Sequence, residues 1–458
     1  MTIEDVLLIG VDGGATEVKA HAVSCDDLHK PSSFELQPES ASRVYARVAD
    51  FAPLPVTEQL VQRDAGAVKR TDKEVEQGRL YVRAAAETVV DVAKQCGATR
   101  VLVGIGMPGL KTPDGRGINA INNGPRMPDY LNDLEKDIAA AGVELVSPIA
   151  ALGSDADYCG LGEEYAADGL FRDVQNAYYA GCGTGIADAL KLRGKLLPFD
   201  HAKSWIQKSW QIASALGPTF EKLVSAKSLN RVYTDLCRGT KARRHKGTKD
   251  HVAAGPRTGR GHALRGTAVS AADADEGTAP GAVAHGQSEP RRVSERKAAT
   301  GQYPEVVAAA GDAVAIAWMS TAALVLAELV FERMWTIKLG RADAPHRGDA
   351  YAQLDPNHEF RGTLLDRVII GQRLGQIYAD PAYREVFGDK LDAALAALIA
   401  GSGDADMCDA YMKHSAGPPS PAQLKPGLVL PSKLRAAPAL GAAVAAVQAL
   451  RAGGQGSG

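Results

Sequence analysis

The 458-residue sequence has no surplus of charge of either sign: 52 lysines and arginines face 54 aspartates and glutamates, a formal net charge of −2. That balance excludes a global pull toward nucleic acid or an anionic membrane surface. Paired cysteines are missing too. Cys25, Cys96, Cys159, Cys182, Cys237 and Cys408 are scattered with no C-x-x-C spacing, which indicates neither a zinc cage nor a disulfide framework and suits a reducing cytoplasm. His245, His251 and His262 have no partners at metal-ligand spacing. The opening Met-Thr-Ile-Glu-Asp does not carry the basic-then-apolar pattern of an export signal. The longest uncharged apolar run, Ala313 to Ala327, stops short of the roughly 20 residues that a bilayer span needs, and reads as a buried core helix. A cytoplasmic protein with no membrane attachment is the expectation.

A chain of this length can bury a large core and divides into two or three domains. Asp26 to Lys73 reads as loops around one or two strands. Val82, Ala85, Val89, Val92 and Ala93 share one face of a helix predicted over Glu74 to Ala98, stopped by Gly97. Arg100 to Ile105 and Val143 to Ile149 read as strands, and Asp129 to Ala141 as a helix with acidic first turns. Recurring strand, loop and helix predict α/β layers. From Arg238 to Thr300 periodicity and aromatics vanish, so a disordered insertion is expected over 238–300, its cluster Lys241 to Lys246 a solvated basic patch. A long helix is predicted from about Pro304 to Thr336, with Trp318 and Trp335 as core residues. Further helices follow around Ala379 to Gly388 and Lys390 to Ala400, then a Pro-rich loop and an Ala-rich helix from Leu434 to Leu450.

Three glycine-bearing stretches carry the chemistry. In Ile9 to Val23, two apolar strands flank Asp12-Gly13-Gly14-Ala15-Thr16, where glycines let backbone N–H groups approach an anion and Asp12 offers an oxygen to hydrated Mg²⁺. Asp-Gly-Gly is also an ordinary hairpin turn. In the second, Gly153-Ser154-Asp155-Ala156-Asp157 follows a strand and opens a helix. Asp155 there can accept a hydroxyl proton, or it and Ser154 can simply cap the helix. In the third, two strands flank Gly183-Thr184-Gly185, which offers N–H groups and a hydroxyl to a second phosphate.

In this order the stretches resemble the acetate and sugar kinase, Hsp70 and actin superfamily, and within it the ROK family of sugar kinases and repressors. Its D-x-G-G-T-K is matched by Asp12 to Glu17, with Ala15 and Glu17 in the last glycine and lysine places. Its G-x-P-G is matched by Gly106-Met107-Pro108-Gly109, its N-D-A-N-A-A-A-L-G-E by Ser154 to Glu163 and its G-T-G-I-G by Gly183 to Ala187. Arg367 to Gly375 resembles the strand and glycine loop that contacts adenosine, and Pro438 to Ala443 the closing helix.

The resemblance implies a two-lobed actin/hexokinase-like, ribonuclease H-like α/β fold with an interlobe nucleotide cleft. Residues 1–150 would form the first lobe, with a helix at about 434–451 packing back on it, and 151–433 the second. It further implies an ATP-dependent kinase acting on a hydroxyl of a sugar or cyclitol with Mg²⁺ held by Asp12, and Asp155 as general base. ATP would meet Asp12, Gly13, Gly14, Ala15, Thr16, Lys19, Gly183, Thr184, Gly185, Gly371, Gln372 and Arg373. The acceptor would meet Gly106, Pro108, Asn122, Asn123, Arg126 and Asp155. A homodimer with no nucleic-acid partner fits ROK relatives.

The chain also departs from the pattern. The ROK zinc signature, E-x-G-H followed by C-x-C-G-x-x-G-C, is absent, and Phe199-Asp200-His201 stands where its sugar-contacting Glu and His would be. A surface loop is the expectation there. Two alternatives stay open: a BadF/BadG-type ATPase or N-acetylglucosamine-kinase-like enzyme, and a sugar-sensing regulator without catalysis.

Overall fold

A computed structural model describes residues 6–27, 33–247, 303–413 and 422–455. Met1–Leu229 with Met319–Gly458 forms one compact unit and Asn230–Trp318 a second. In the larger unit, β1 (Leu7–Gly13), β2 (Glu17–Cys25) and β3 (Phe34–Val44) make an antiparallel meander. Helices α1 (Val56–Asp64) and α2 (Asp72–Gln95) then return the chain so that β4 (Arg100–Gly106) runs parallel beside β1. A small ladder of β5 (Leu110–Lys111) and β6 (Ile118–Ala120) precedes α3 (Tyr130–Ala140), and β7 (Glu144–Leu145) and β8 (Leu152–Gly153) both pair with β4.

Beyond α4 (Asp155–Tyr165) the pattern repeats. Strands β9 (Ala177–Cys182), β10 (Ile186–Leu192) and β11 (Lys195–Leu197) are antiparallel, and β12 (Arg367–Gly371) and β13 (Val429–Pro431) add in parallel. The sheet orders, β3-β2-β1-β4-β7 and β11-β10-β9-β12-β13, are the same order twice. This is the duplicated α/β architecture of the actin/hexokinase type.

The layers follow from side-chain alternation. Ile9, Val11, Val103 and Ile105 face α2 and α3, while Leu8 and Leu102 face the C-terminal helix Ala437–Gln455. Helix α4 covers the inner face of the second sheet through Ala156 and Cys159 against Tyr179, Ala187 and Ala189. The C-terminal helix lies close enough to the first sheet that a Cβ on Gly104 would run into the Ala442 carbonyl. Crossing α4, it brings Gly441 against the Tyr158 carbonyl. We expect Gly104→Ala to cost about 1–3 kcal/mol, since overpacking against backbone has no side chain to displace, and denaturant unfolding midpoints check it.

On the outer face of the second sheet lies the helix Ala313–Leu339. It is long and apolar enough, by length and composition, to cross a membrane, with 56% of its most apolar window buried in the protein. Past the uncharged run it carries Glu332 and Arg333, both buried, and Arg333 reaches Asp188 of β10 at 3.3 Å. That ion pair marks its second half as a core helix of the sheet.

Several predicted elements differ. A helix, α1, forms where loops were expected, capped by Pro55 and held by buried Gln59, which bonds Leu54 O and both the N–H and carbonyl of Ile121. The strand predicted over Val143 to Ile149 pairs only at Glu144–Leu145. The helix predicted from Pro304 breaks into Pro304–Ala309 and Ala313–Leu339 at Gly311, whose φ is +87°, and Asp312 caps the second piece by accepting from Ala315 N. The helix Ala226–Gly247 runs into the segment expected to be disordered, whose remainder, 248–300, lies outside the described residues. No glycine loop follows β12. A helix, Gln372–Ala379, starts at once.

Candidate active site

Register assembles the first half of the site. Asp12 is the parallel partner of Gly106, and Gly106 of Gly153, so the carboxyl ends of β1, β4 and β8 lie side by side with strand spacings of about 4.8 Å. Asp155 opens α4 two residues beyond Gly153. Met107 N donates to Gly153 O at 3.1 Å, and a Cβ on Gly106 would lie 3.9 Å from Asp155 Cα. The first turn leans on the same loop, with Gly13 against the Met107 sulfur. Gly14 N closes the turn on Glu17 O at 2.9 Å, and Ala15 O is pinned by Tyr81 Oη at 2.9 Å. Thr16 is exposed at the tip. Carboxyl ends of parallel strands are where α/β folds place ligands.

The acidic groups feel one another. Burial, then the charge of Asp155, pushes the Asp12 carboxyl up to about 6, and Lys19 opposes them. Lys19, the cross-strand partner of Asp12, pairs with Glu17 at 2.7 Å. Ser154 occupies the N-cap of α4 but makes no side-chain cap bond, whereas Asp155 Oδ1 accepts from Ala156 N at 3.0 Å. Capping therefore leaves the second Asp155 oxygen to other uses.

The second turn joins β9 to β10 in the other sheet. Gly183 N donates to Gly181 O at 3.2 Å, Gly183 O accepts from Ala226 N at 2.7 Å and Thr184 is exposed. Gly185 lies against the Glu221 carboxylate, whose Oε2 accepts from Ile186 N at 3.0 Å. Burial, with Asp188 and Asp155 also contributing, raises the Glu221 carboxyl above its usual range, so Asp155 lies within its field. Gly371 ends β12 and Gln372 opens the next helix beside this turn: Gly371 is the partner of Gly181, and the Gln372 amide fills the space where a Gly183 side chain would stand. Gln372 has φ +56°, an uncommon backbone for a residue with a side chain. Arg373 follows on the first turn of the helix.

Not every expected residue joins. Arg126 is a correction: it is fully buried and chelates Glu74 at 2.7 Å while bonding Gln62 and Lys69 O, so its guanidinium is a structural anchor of the first lobe. Asn122 and Asn123 lie exposed on the turn after β6, Asn123 at φ +61°. Pro108 is half-buried in the loop between β4 and β5. Asp200 and His201 are exposed, as expected of a surface loop, yet they act on Asp157 of α4. Burial is the largest cause raising Asp157, with Asp200 and Asp155 adding and Lys208 and His201 opposing.

Two residues were missed by sequence. Lys111, in β5, donates to Met107 O and to Gly109 O at 3.1 Å. Burial lowers it to about 8 against the opposing pull of Asp155. Its position just beyond Gly109 was the available signal. Glu221, in the short helix Phe220–Val224, had none.

Among the described residues no group of three or more His, Cys, Asp or Glu could hold a metal ion. One carboxylate at a strand end suits instead a Mg²⁺ that arrives with nucleotide phosphates, since that ion keeps most of its waters and takes one or two protein oxygens.

No protein-family model matches the chain and no curated protein matches its sequence. Among solved structures, it is similar to a ROK family glucokinase from Streptomyces griseus in complex with glucose and AMPPNP, at 14% identity and TM-score 0.48, covering 96% of this chain and 99% of that one. A ROK hexokinase from Thermus thermophilus matches at 16% identity and TM-score 0.44, over 98% and 100% of the two chains. A ROK family transcriptional regulator, homolog of the E. coli MLC protein, matches at 12% identity and TM-score 0.48, over 97% and 78%.

Proposed function

We propose that the chain is an ATP-dependent kinase that phosphorylates a hydroxyl of a sugar or sugar-like cyclitol in the cytoplasm. The observation that carries this reading is the row Asp12, Gly106 and Gly153, which sets Asp155 within the field of Asp12, while Glu221, against the turn Gly183–Gly185, feels Asp155 as well. Glycine turns whose backbone N–H groups can meet phosphates and one proton acceptor at a helix start suit phosphoryl transfer, because that chemistry is mostly positioning and charge neutralisation.

In this reading the N–H groups and hydroxyls of the turns Asp12–Thr16 and Gly183–Gly185 hold the phosphates. Asp155 orients the acceptor hydroxyl and takes its proton as the oxygen bonds to the γ-phosphorus and the bond to the ADP oxygen breaks. Asp12 would hold Mg²⁺ directly or through water, and the bound ion supplies charge to the phosphate oxygens. Gly371, Gln372 and Arg373 would meet the adenosine in this reading. Closure of the two lobes would dry the site.

The experiment is a panel of hexoses, amino sugars, heptoses and C7-cyclitols in a coupled ADP-release assay with MgATP. ADP release that depends on one polyol class supports the reading. Turnover that ignores every polyol favours a BadF/BadG-type ATPase, and no turnover with retained sugar binding favours a regulator.

Thr16→Ala and Thr184→Ala are expected to weaken MgATP binding about tenfold each, the loss of one hydrogen bond to a charged oxygen at ~1.5 kcal/mol. Turnover at saturating ATP should change little. Calorimetric affinities that match the parent protein would remove the two hydroxyls from the nucleotide site.

A further inference from the structure

The site is crowded with acid. Asp12, Asp157 and Glu221 each lie within the field of Asp155, and a nucleotide would add more negative charge. Of the cations nearby, Lys19 pairs with Glu17 at 2.7 Å, and Lys208 with Asp200 at 3.5 Å. Lys111 differs. Its ammonium is held by carbonyls alone among the described contacts, those of Met107 and Gly109, which leaves its charge uncompensated by any direct ion pair. The loop that holds it is tied to β8, two residues before Asp155, by the bond from Met107 N to Gly153 O, and a Cβ on Gly106, the last residue of β4, would lie 3.9 Å from Asp155 Cα. Of all charged groups acting on Lys111, Asp155 acts most strongly, ahead of Lys208, Asp200 and Asp157.

A half-buried ammonium with no direct ion pair, held on a glycine-proline loop within the field of Asp155, is arranged for an anionic oxygen that arrives with the substrates. We propose that Lys111 is a catalytic residue of the transfer step, its Nζ meeting an oxygen of the phosphoryl group as it passes from ADP to the acceptor oxygen next to Asp155. The inference rests on the kinase reading. Two Nζ donors stay on the Met107 and Gly109 carbonyls, and the third is available to the phosphoryl oxygen. Lysine serves here as a compact point charge, and its flexible stem can follow the group across the gap.

The test measures binding of MgADP alone and of MgADP with aluminium fluoride, a mimic of the phosphoryl group in flight, to the full chain and to Lys111→Met and Lys111→Arg, by calorimetry. In the parent protein aluminium fluoride is expected to tighten MgADP binding by about 100-fold or more, as transition-state mimics do. Lys111→Met should lose most of that gain while MgADP alone binds within about twofold, and Lys111→Arg should keep part of it. A purely structural role would weaken both complexes alike and leave their ratio unchanged. Lys111→Met keeping the full gain overturns the inference and leaves the kinase reading intact. A parent protein that fails to bind MgADP overturns both.

Discussion

In the kinase reading, Asp155→Asn is expected to leave MgATP bound with affinity within about twofold of the parent protein and to lower polyol-dependent turnover by about 10²–10⁴-fold, the range that a positioned proton acceptor supplies. Two features make the substitution clean. Asn keeps the Oδ1 acceptor that meets Ala156 N at 3.0 Å, so the first turn of α4 stays as it is. The side chain is half-exposed, and its replacement opens no cavity. What Asn lacks is a basic oxygen, so the hydroxyl must lose its proton to water instead. ADP release with the best polyol of the panel, alongside calorimetric ATP affinity, separates the two effects. Near-parental turnover would strip Asp155 of its role and leave the site without a base.

Arg333→Met is expected to cost about 3–5 kcal/mol of stability, the toll of leaving buried carboxylates without their cation. Arg333 is fully buried, bonding Glu332 Oε2 at 2.8 Å, Asp188 Oδ1 at 3.3 Å and Ser209 Oγ at 3.2 Å. Its guanidinium lies over the rings of Tyr178 and Phe199, each 5.7 Å from ring centre. With Arg333 gone, Asp188 keeps Tyr178 Oη at 2.6 Å, Ser209 N at 2.8 Å and Ser209 Oγ at 2.5 Å, and Glu332 keeps Thr336 Oγ1 at 2.7 Å. Those are neutral donors and do not balance two buried charges. Adding Asp188→Asn should recover part of the loss, because one of the two charges then disappears. Guanidinium unfolding reads both variants; a loss under about 1 kcal/mol would mean that the cluster is solvated or already neutral. Asp188 also fixes Ser209 and thereby the neighbouring Lys208, which faces Asp157 and Asp200, so the same variant reaches the rim of the site.

How far sequence carries is clear from single residues. The helix α2 was legible because Val82, Ala85, Val89, Val92 and Ala93 repeat at helical spacing and all are buried. Both glycine turns were legible because strand, glycine and strand is a local pattern. Arg126 was misjudged for the opposite reason: a guanidinium beside an asparagine turn looks like a ligand contact until Glu74, 52 residues earlier, is found to hold it. Lys111 was passed over because its place two residues after Gly109, the one local signal, does not by itself distinguish a lysine on a solvated turn from one folded back onto two carbonyls. Glu221 sits on a helix of five residues, too short to show any periodicity.

By itself, the sequence determined that strand, glycine turn and strand recur twice, that a helix begins at an aspartate and that one face of α2 is apolar, since each depends on neighbours a few residues apart. Tertiary structure alone decided that Asp12, Gly106 and Gly153 share a row, that Asp155 lies in the field of Glu221 and that Lys111 folds back onto the Met107 and Gly109 carbonyls within the field of Asp155. The physical reason is that strand register and helix crossing are long-range choices. The C-terminal helix can lie against β4 and α4 only because Gly104 and Gly441 present no side chain where backbone must touch backbone, and no local pattern announces which distant segment will come to fill that space.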